Sequence, residues 1–355
     1  MPNILDDISR LTSIDRSCML SILQHTPEDL QEAIKIPQPY STSAMSRSIP
    51  SNVVIVGVGG SSIAGDVVSN WLSDDVTVPI FVDRGLRLPR FAGKDTLVIA
   101  TSYSGDTNET LGQFDEARRR RCILHVITSG GRLDKISKEY DVPVARLKSG
   151  IPPRTAFPQI IVAVSSILQE HGVIRDLSDI QSAGEDLKKI REKLDFTKDT
   201  DQNPAKQMAL RLVSKFPVIY SLDRMSSAAR RLKNQLNENS KVHSKFDVIP
   251  EICHNEVESW PELASDLWRS RFSLVFITDD NEDEKETRIV EGTVAFLRRL
   301  GIQDLLEIKG TGSNRLGKLL SAIYMGDYVS FYLAIARGID PTPINEISRL
   351  KKEIW

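Results

Sequence analysis

The chain has 355 residues, which is longer than one average domain. Its composition, with 40% hydrophobic and 26% charged residues, is ordinary for a folded globular protein. A formal net charge of -2 at pH 7 gives no general attraction for nucleic acid or for an anionic membrane. Three cysteines without C-x-x-C spacing and five scattered histidines predict neither a disulfide framework nor a metal site. Without a signal peptide or a membrane-length apolar run, we expect a two-domain cytoplasmic protein.

The pattern of apolar residues divides the chain into five parts. Helical spacing predicts an N-terminal lead-in over residues 1–50, and a charged amphipathic stretch predicts a helical linker over 173–205. Strands and helices alternate over 51–172 and again over 206–340, before a last helix at 341–355. This alternation predicts an α/β fold of two doubly wound subdomains, each a parallel sheet flanked by helices.

The predicted strands are short and rich in β-branched residues. They are Val53–Val56, Val78–Val82, Thr96–Ala100, Cys122–Ile127, Val142–Arg146, Phe216–Tyr220, Ser273–Ile277 and Asp304–Ile308. Ligands of such folds bind outside the carboxyl ends of the strands. The loops that follow these strands are therefore where a site is expected.

The first strand runs into a glycine-rich turn and then a helix, in the segment VVIVGVGGSSIAGD. Glycines allow close backbone approach, so the N–H groups of Gly60, Ser61 and Ser62 can line an anion cradle at a helix N-terminus. A dinucleotide site is the alternative, because Asp83 ends the next strand where an acid on the ribose is expected. Ser62 stands in place of the third glycine of that fingerprint, which favours a smaller phosphate.

A second hydroxyl-rich turn, TSYSGDT, follows the third strand. Ser102, Ser104 and Thr107 surround Gly105 and enter a helix, so hydroxyl and N–H donors can point at one oxyanion. Helix capping is the alternative explanation, although one hydroxyl would be enough for a cap.

These two turns together resemble the sugar isomerase (SIS) superfamily, whose members hold phosphosugars in serine-rich loops. The resemblance implies that the substrate phosphate is held by Gly59, Gly60, Ser61, Ser102, Ser104 and Thr107. Arg154 follows two prolines after the last strand of the first half, and a stiff backbone there presents a cation. An ordinary surface-loop arginine is the alternative.

Two polar segments in the second half carry candidate proton-transfer groups, LNENSK and HNEVESW. Glu238 lies at a predicted helix end, where it is either part of a polar cap or a carboxylate base. His254 has a suitable pKa range to move protons, but a lone histidine is more often structural. Cys253 precedes His254 directly, which suggests a thiol nucleophile with a histidine base. Side chains of adjacent residues are seldom directed at one point, however, so this pair is disfavoured.

Both segments resemble the bifunctional phosphoglucose/phosphomannose isomerases. That resemblance implies an aldose–ketose isomerase that interconverts glucose 6-phosphate and mannose 6-phosphate with fructose 6-phosphate through a cis-enediol. Glu238 would move the proton between C1 and C2, and Arg154 would stabilise the enediolate. His254, from the partner subunit of a homodimer, would open the ring. Lys351, with Lys352 as the fallback, would be the C-terminal active-site lysine; no metal and no cofactor are implied.

Three alternatives stay open from the sequence. The chain could be a non-catalytic phosphosugar-binding SIS regulatory module, which needs the hydroxyl turns but not Glu238 or His254. It could be an isomerase of another sugar phosphate, such as an amino sugar phosphate. A nicotinamide dehydrogenase is disfavoured by Ser62 at the third glycine position.

Overall fold

The computed structural model describes residues 4–36, 49–262, 269–280 and 282–354. The rest of the predicted lead-in, residues 1–3 and 37–48, lies outside the described residues.

Helices and strands alternate through most of the described chain. The helices are α1 Ile8–Ile14, α2 Met19–Gln24, α3 Thr26–Lys35, α4 Gly60–Leu72, α5 Asn108–Arg119, α6 Gly131–Glu139, α7 Phe157–Glu170, α8 Ser178–Leu194, α9 Pro204–Leu212, α10 Ser226–Glu238, α11 Glu284–Arg299, α12 Arg315–Ala336 and α13 Asn345–Ile354. The strands are β1 Asn52–Val56, β2 Ile80–Asp83, β3 Thr96–Thr101, β4 Ile123–Thr128, β5 Val144–Arg146, β6 Phe216–Leu222, β7 Lys245–Ile249, β8 Phe272–Asp279 and β9 Leu305–Gly310.

The chain forms two compact units. The first unit comprises Thr26–Glu185 with Asn314–Leu316, and the second unit comprises Met1–His25, Asp186–Ser313 and Gly317–Trp355. The domain boundaries drawn from the sequence stay a prediction.

A five-stranded parallel sheet, in the order β2-β1-β3-β4-β5, forms the centre of the first unit. Successive side chains of a strand point to opposite faces, so both faces of β1 and β3 need apolar cover. On one face Val54 and Val98 join a core that includes Phe114 of α5. On the other face Ile55 packs against α4, where a Cβ on Gly65 would lie only 3.0 Å from Cγ2 of Ile55. The sheet is thus buried between helices on both sides.

A four-stranded parallel sheet, in the order β7-β6-β8-β9, forms the centre of the second unit. Its core includes Val218, Tyr220 and Phe276 from the strands and Leu297 from α11. The predicted fold class of two parallel sheets flanked by helices is therefore confirmed. One edge strand, β7, was not predicted from the sequence, because its short KFDVI pattern is half-buried and follows a polar loop.

Helix α12 is long and apolar enough to cross a membrane by length and composition. However, 89% of its apolar window is buried inside the protein, and three of its tyrosines are among the largest fully buried side chains. Such burial is typical of the core helix of a soluble protein.

Candidate functional site: two hydroxyl-rich turns and a polar helix end

The glycine turn after β1 brings its backbone against two neighbouring loops of the first unit. A Cβ on Gly57 would lie 2.8 Å from the carbonyl oxygen of Thr101, and one on Gly60 would lie 3.1 Å from Cα of Arg154. Gly59 caps α4 with φ +58°, a conformation that favours glycine. The glycines thus permit close packing, and they place Gly60 beside the Arg154 backbone.

The backbone N–H groups of this turn are partly engaged within the turn. The N–H of Ser61 donates to the carbonyl of Val58, and the N–H of Ser62 donates to that of Gly59, each at 3.2 Å. Two of the three N–H groups of the predicted anion cradle are therefore already bonded within the turn, and the side-chain hydroxyls are the other candidate donors.

Three hydroxyl oxygens around the two turns accept hydrogen bonds from backbone N–H groups. Ser61 Oγ accepts from Tyr103 N at 3.2 Å, Ser102 Oγ from Gly105 N at 3.1 Å, and Ser104 Oγ from Asp106 N at 3.2 Å. A hydroxyl that accepts in this way still has its own proton to donate. These three side chains are therefore fixed to the backbone of the turns, with hydroxyl protons not used by these bonds.

Ser102 and Thr107 form a pair within the second turn. Their hydroxyl oxygens lie 2.9 Å apart, so one donates to the other and one proton remains for a ligand. Thr107 caps α5 without a side-chain capping bond, which does not support the simple capping explanation for this residue. The pair joins the end of β3 to the start of the helix.

Tyr103 connects the hydroxyl-rich turn TSYSGDT to the segment before Arg154, and the sequence analysis had not singled it out. Its hydroxyl donates to the carbonyl of Lys148 and accepts from Ile151 N, both at 3.1 Å. Arg154 itself is 3% exposed, within a short 3-10 turn at Pro153–Thr155. The only sequence signal was the position of the tyrosine between two serines of TSYSGDT.

Asp83 is occupied in a way that argues against a dinucleotide site. Its Oδ1 accepts from Gly85 N at 2.8 Å and from the amide of Gln113. A dinucleotide fold would instead use this carboxylate on the ribose hydroxyls. The acid here stabilises the loop after β2.

Glu238 is the last residue of α10 in the second unit, and it is half-buried. The helix end is held firmly, because Asn239 Nδ2 donates to Ser330 Oγ at 2.9 Å and Ser240 Oγ donates to Ser330 O at 2.7 Å. Lys241 Nζ donates to the backbone carbonyl of Glu238 and, at 2.7 Å, to that of Pro343. A carboxylate on such a fixed backbone is well suited to position-sensitive proton transfer.

His254 ends a 3-10 turn at Glu251–His254 and is exposed. Glu256, two residues after His254, anchors this segment. The Glu256 carboxylate accepts from Tyr220 Oη at 2.8 Å and forms an ion pair with Lys245 at 2.5 Å. Tyr220 is buried, and burial together with the nearby Glu256 raises the pKa of this phenol, which keeps it a neutral donor.

Lys351 and Lys352 are exposed on α13. Among the residues that the structure describes, neither Lys351 nor His254 forms a hydrogen bond or ion pair with another side chain. The structure therefore brings together Gly60, Ser61, Ser102, Thr107 and the Arg154 backbone in the first unit. Glu238, His254 and Lys351 lie on separate elements of the second unit.

Comparison with known proteins identifies the family. The family model described as bacterial phospho-glucose isomerase C-terminal SIS domain matches residues 201–354. A bifunctional phosphoglucose/phosphomannose isomerase of Caldicellulosiruptor bescii is 32% identical over 338 residues, which cover 95% of this chain and 98% of the relative. This chain belongs to the bifunctional phosphoglucose/phosphomannose isomerase family. A further member, from Aquifex aeolicus, is 34% identical over 85% of this chain and 90% of its own length.

The fold of the phosphoglucose/phosphomannose isomerase family is shared with solved structures of low sequence identity. A glucose-6-phosphate isomerase like protein from Thermus thermophilus superposes with a TM-score of 0.61 at 17% identity, over 99% of both chains. At that identity the likeness extends to the fold alone. It agrees with the SIS architecture predicted from the two hydroxyl-rich turns.

Proposed function

We propose that the chain is an aldose–ketose isomerase that interconverts glucose 6-phosphate and mannose 6-phosphate with fructose 6-phosphate. The observation that carries this proposal is the family membership, which extends over 95% of the chain and 98% of a relative with both activities in its name. The reaction belongs to carbohydrate metabolism, in glycolysis and gluconeogenesis, and we expect it to take place in the cytoplasm.

Phosphate binding is assigned to the first unit. Ser61, Ser104 and the one hydroxyl of the Ser102–Thr107 pair that keeps its proton would donate to the phosphate oxygens, beside the backbone of Gly59 and Gly60. Hydrogen bonds to a group remote from the reacting carbons supply orientation, which lowers the entropic part of the barrier. The N–H to Oγ bonds of Ser61, Ser102 and Ser104 support this role, since they restrict the directions in which these three hydroxyls can donate.

Proton transfer is assigned to Glu238. Its carboxylate would remove the proton from C2 of the aldose, and the C2–H electron pair would form the C1–C2 double bond of a cis-enediol. The same carboxyl would return the proton to C1, while a proton moves from the oxygen on C2 to that on C1. Arg154 would stabilise the negative enediolate oxygen, because a buried guanidinium remains charged. The atoms balance without a redox partner or an added group.

Ring opening is assigned to His254, and a homodimer is part of this proposal. His254 and Lys351 are exposed in the single chain, which is compatible with contributions across a subunit interface. In that arrangement His254 would donate a proton to the ring oxygen of the sugar in the partner's site. Lys351 would add a positive charge near the substrate, with Lys352 as the fallback.

The test of the activity is an isomerisation assay on the full chain with fructose 6-phosphate in the presence of EDTA. Glucose 6-phosphate and mannose 6-phosphate are followed separately by NMR, with glucosamine 6-phosphate as a further substrate. In D2O, deuterium on the carbon next to the carbonyl reports the enediol step. Formation of both aldoses supports the proposal. Binding of the sugar phosphates without turnover would instead favour the regulatory SIS module, and turnover of the amino sugar alone would favour another isomerase.

The test of the base is Glu238→Gln, for which we expect kcat to fall by about three orders of magnitude or more with little change in substrate affinity. The amide has nearly the same shape but cannot accept a proton from carbon. Glu291→Gln, an exposed position on α11 of the same unit, is the matched control and should keep wild-type turnover. Turnover of the Glu238 variant within a few-fold of wild type would exclude it as the base.

A further inference from the structure

A buried histidine pair in the first unit has no part in the proposed reaction. His125 lies in the middle of β4, and His171 directly follows α7. They are 3% and 4% exposed, and their Nε2 atoms are 2.9 Å apart. The rings meet edge-on, at 90° with centroids 5.0 Å apart. The sequence analysis predicted no metal site, because the two positions are distant in the chain and only the fold joins them.

Both imidazoles are neutral under ordinary conditions. Burial, reinforced by the neighbouring His171, lowers the pKa of His125 to about 3, and burial also lowers the pKa of His171. A neutral imidazole has one nitrogen lone pair, the form that binds metal ions. Because the two Nε2 atoms face each other, both lone pairs can be directed at one point between the rings.

A shared proton does not satisfy this pair completely. One Nε2–H can donate to the other Nε2, but Nδ1 of His171 is buried and has no hydrogen-bond partner among the residues that the structure describes. An unpaired buried nitrogen costs roughly 1 to 3 kcal/mol. A metal ion on both Nε2 atoms would leave this Nδ1 as the protonated nitrogen of His171, so the site rests on the two facing Nε2 atoms and not on Nδ1.

A third ligand stands next to the pair. Glu170 is the last residue of α7. One oxygen of its carboxylate and one nitrogen of each histidine all lie within 4.8 Å of one another. Ligand atoms around a tetrahedral Zn²⁺ lie about 3.3 Å apart for bonds of about 2.0 Å. A side-chain movement on the order of 1 Å brings the carboxylate to that distance. Glu170 is half-buried, so the cluster has one side towards the surface.

The helix end adds to the attraction for a cation. Helix α7 has fourteen residues, and its C-terminus carries a partial negative charge next to Glu170 and His171. Two imidazoles and one carboxylate suit zinc and similar divalent transition metals better than magnesium or calcium, which prefer oxygen ligands.

We propose that His125, His171 and Glu170 form a binding site for a divalent transition metal of the zinc class, which joins strand β4 to the end of helix α7. His125 pairs with Ile99 of β3, and Ser102 follows Ile99 by three residues. The metal site is therefore about 10 Å from the hydroxyl-rich turn that contains Ser102. The site therefore stabilises the first unit and takes no step in the isomerisation. It does not depend on the proposed function.

The test uses the full chain, freed of metal with EDTA and then dialysed. Addition of Zn²⁺ at about a hundred times its Kd should raise the Tm by roughly 5 °C, because the ion binds the folded state only. Calorimetry should give one ion per chain, and Co²⁺ should give the intense visible absorption of a tetrahedral complex. The absence of binding, or of any rise in Tm, would overturn the proposal.

Variants distinguish this cluster from other ligands in the chain. His125→Gln should abolish the rise in Tm, and Glu170→Gln, at the half-buried side, should weaken the affinity at least about tenfold without unfolding the protein. His243→Gln, an exposed histidine of the second unit, is the control and should bind like wild type. Equal binding by the Glu170 and His243 variants and wild type, with one ion per chain, would place the metal elsewhere and overturn the assignment.

Discussion

The loops at the carboxyl ends of the two parallel sheets differ in the groups that they carry. In the first unit, the loops after β1 and β3 carry Ser61 and Ser102, whose hydroxyls accept from backbone N–H groups, and Ser102 shares one proton with Thr107. In the second unit, the corresponding ends carry opposite charges that pair with each other. Arg224, after β6, contacts Asp279 at 3.0 Å and Glu286 at 3.2 Å, and Lys318 contacts Asp280 at 2.6 Å.

This difference explains why the phosphate site is assigned to only one of two similar sheets. The fold directs loops of both units to the edge where ligands bind, but it does not decide what the loops contain. Asp279 and Asp280 would repel a phosphate, and the cations beside them are already paired. The same architecture thus carries a hydroxyl-rich edge, to which we assign the phosphate, in one unit and a cluster of ion pairs in the other.

The largest effect on the first-unit edge is expected from Gly105→Ala. A Cβ at this position would lie 1.8 Å from the carbonyl oxygen of Gly130, and φ is +71°. The turn must therefore move, and displacement of the phosphate by about 1 Å costs on the order of a hundredfold in kcat/KM. Steady-state kinetics measure the loss in kcat/KM, and a thermal melt measures the loss of stability that the movement of the turn causes. Gly93→Ala, which has open space around its Cβ, is the control; equal behaviour of the two variants would contradict this account of the turn.

A smaller and more selective effect is expected from Ser102→Ala. Loss of one hydrogen bond to a charged phosphate should raise KM for fructose 6-phosphate about tenfold or more, with a small change in kcat. Ser137→Ala is a matched control, because Ser137 is also fully buried in the first unit but donates to Leu133 O within α6. If both serine variants leave KM unchanged, Ser102 does not contact the phosphate.

The converse effect is expected in the second unit from Arg224→Met. Asp279 is 6% exposed, and removal of its guanidinium partner should lower the free energy of unfolding by about 3 kcal/mol. Urea denaturation measures this loss, while KM for fructose 6-phosphate should not change. Arg288→Met, at an exposed position of α11, should alter neither quantity. A tenfold higher KM with normal stability would show that the second-unit edge also binds ligand.

The smallest effect concerns acid stability of the second unit. Burial alone would raise the pKa of Asp6, but hydrogen bonds from Lys206 and Thr200 hold it below its usual value. The folded pKa is thus lower than the unfolded one, so this stabilisation is complete above about pH 4 and is lost as the pH falls further. Asp6→Asn should flatten the decline in stability between about pH 5 and 3, as seen by urea melts. Asp199→Asn, an exposed control, should leave the decline of the free energy of unfolding with falling pH unchanged. If Asp6→Asn also leaves this decline unchanged, Asp6 is not its cause.

The sequence by itself determined the architecture of the two sheets and the residue types of the turns. Buried β-branched runs such as Val53–Val56 and glycines such as Gly59 follow from local sterics, so each predicted strand of both sheets is present in the structure. The edge strand β7 was missed, because its half-buried pattern has little periodicity of its own. The roles of Glu238, His254, Arg154 and Lys351 came from family resemblance and stay predictions.

Only the tertiary structure decided the contacts between segments distant in the chain. It placed Tyr103 against Lys148 and Ile151, and it joined His125 to His171 through their Nε2 atoms. It also showed that the N–H groups of Ser61 and Ser62 are used within their own turn. Such contacts depend on how helices pack on a sheet and on the register of its strands, and local periodicity contains neither.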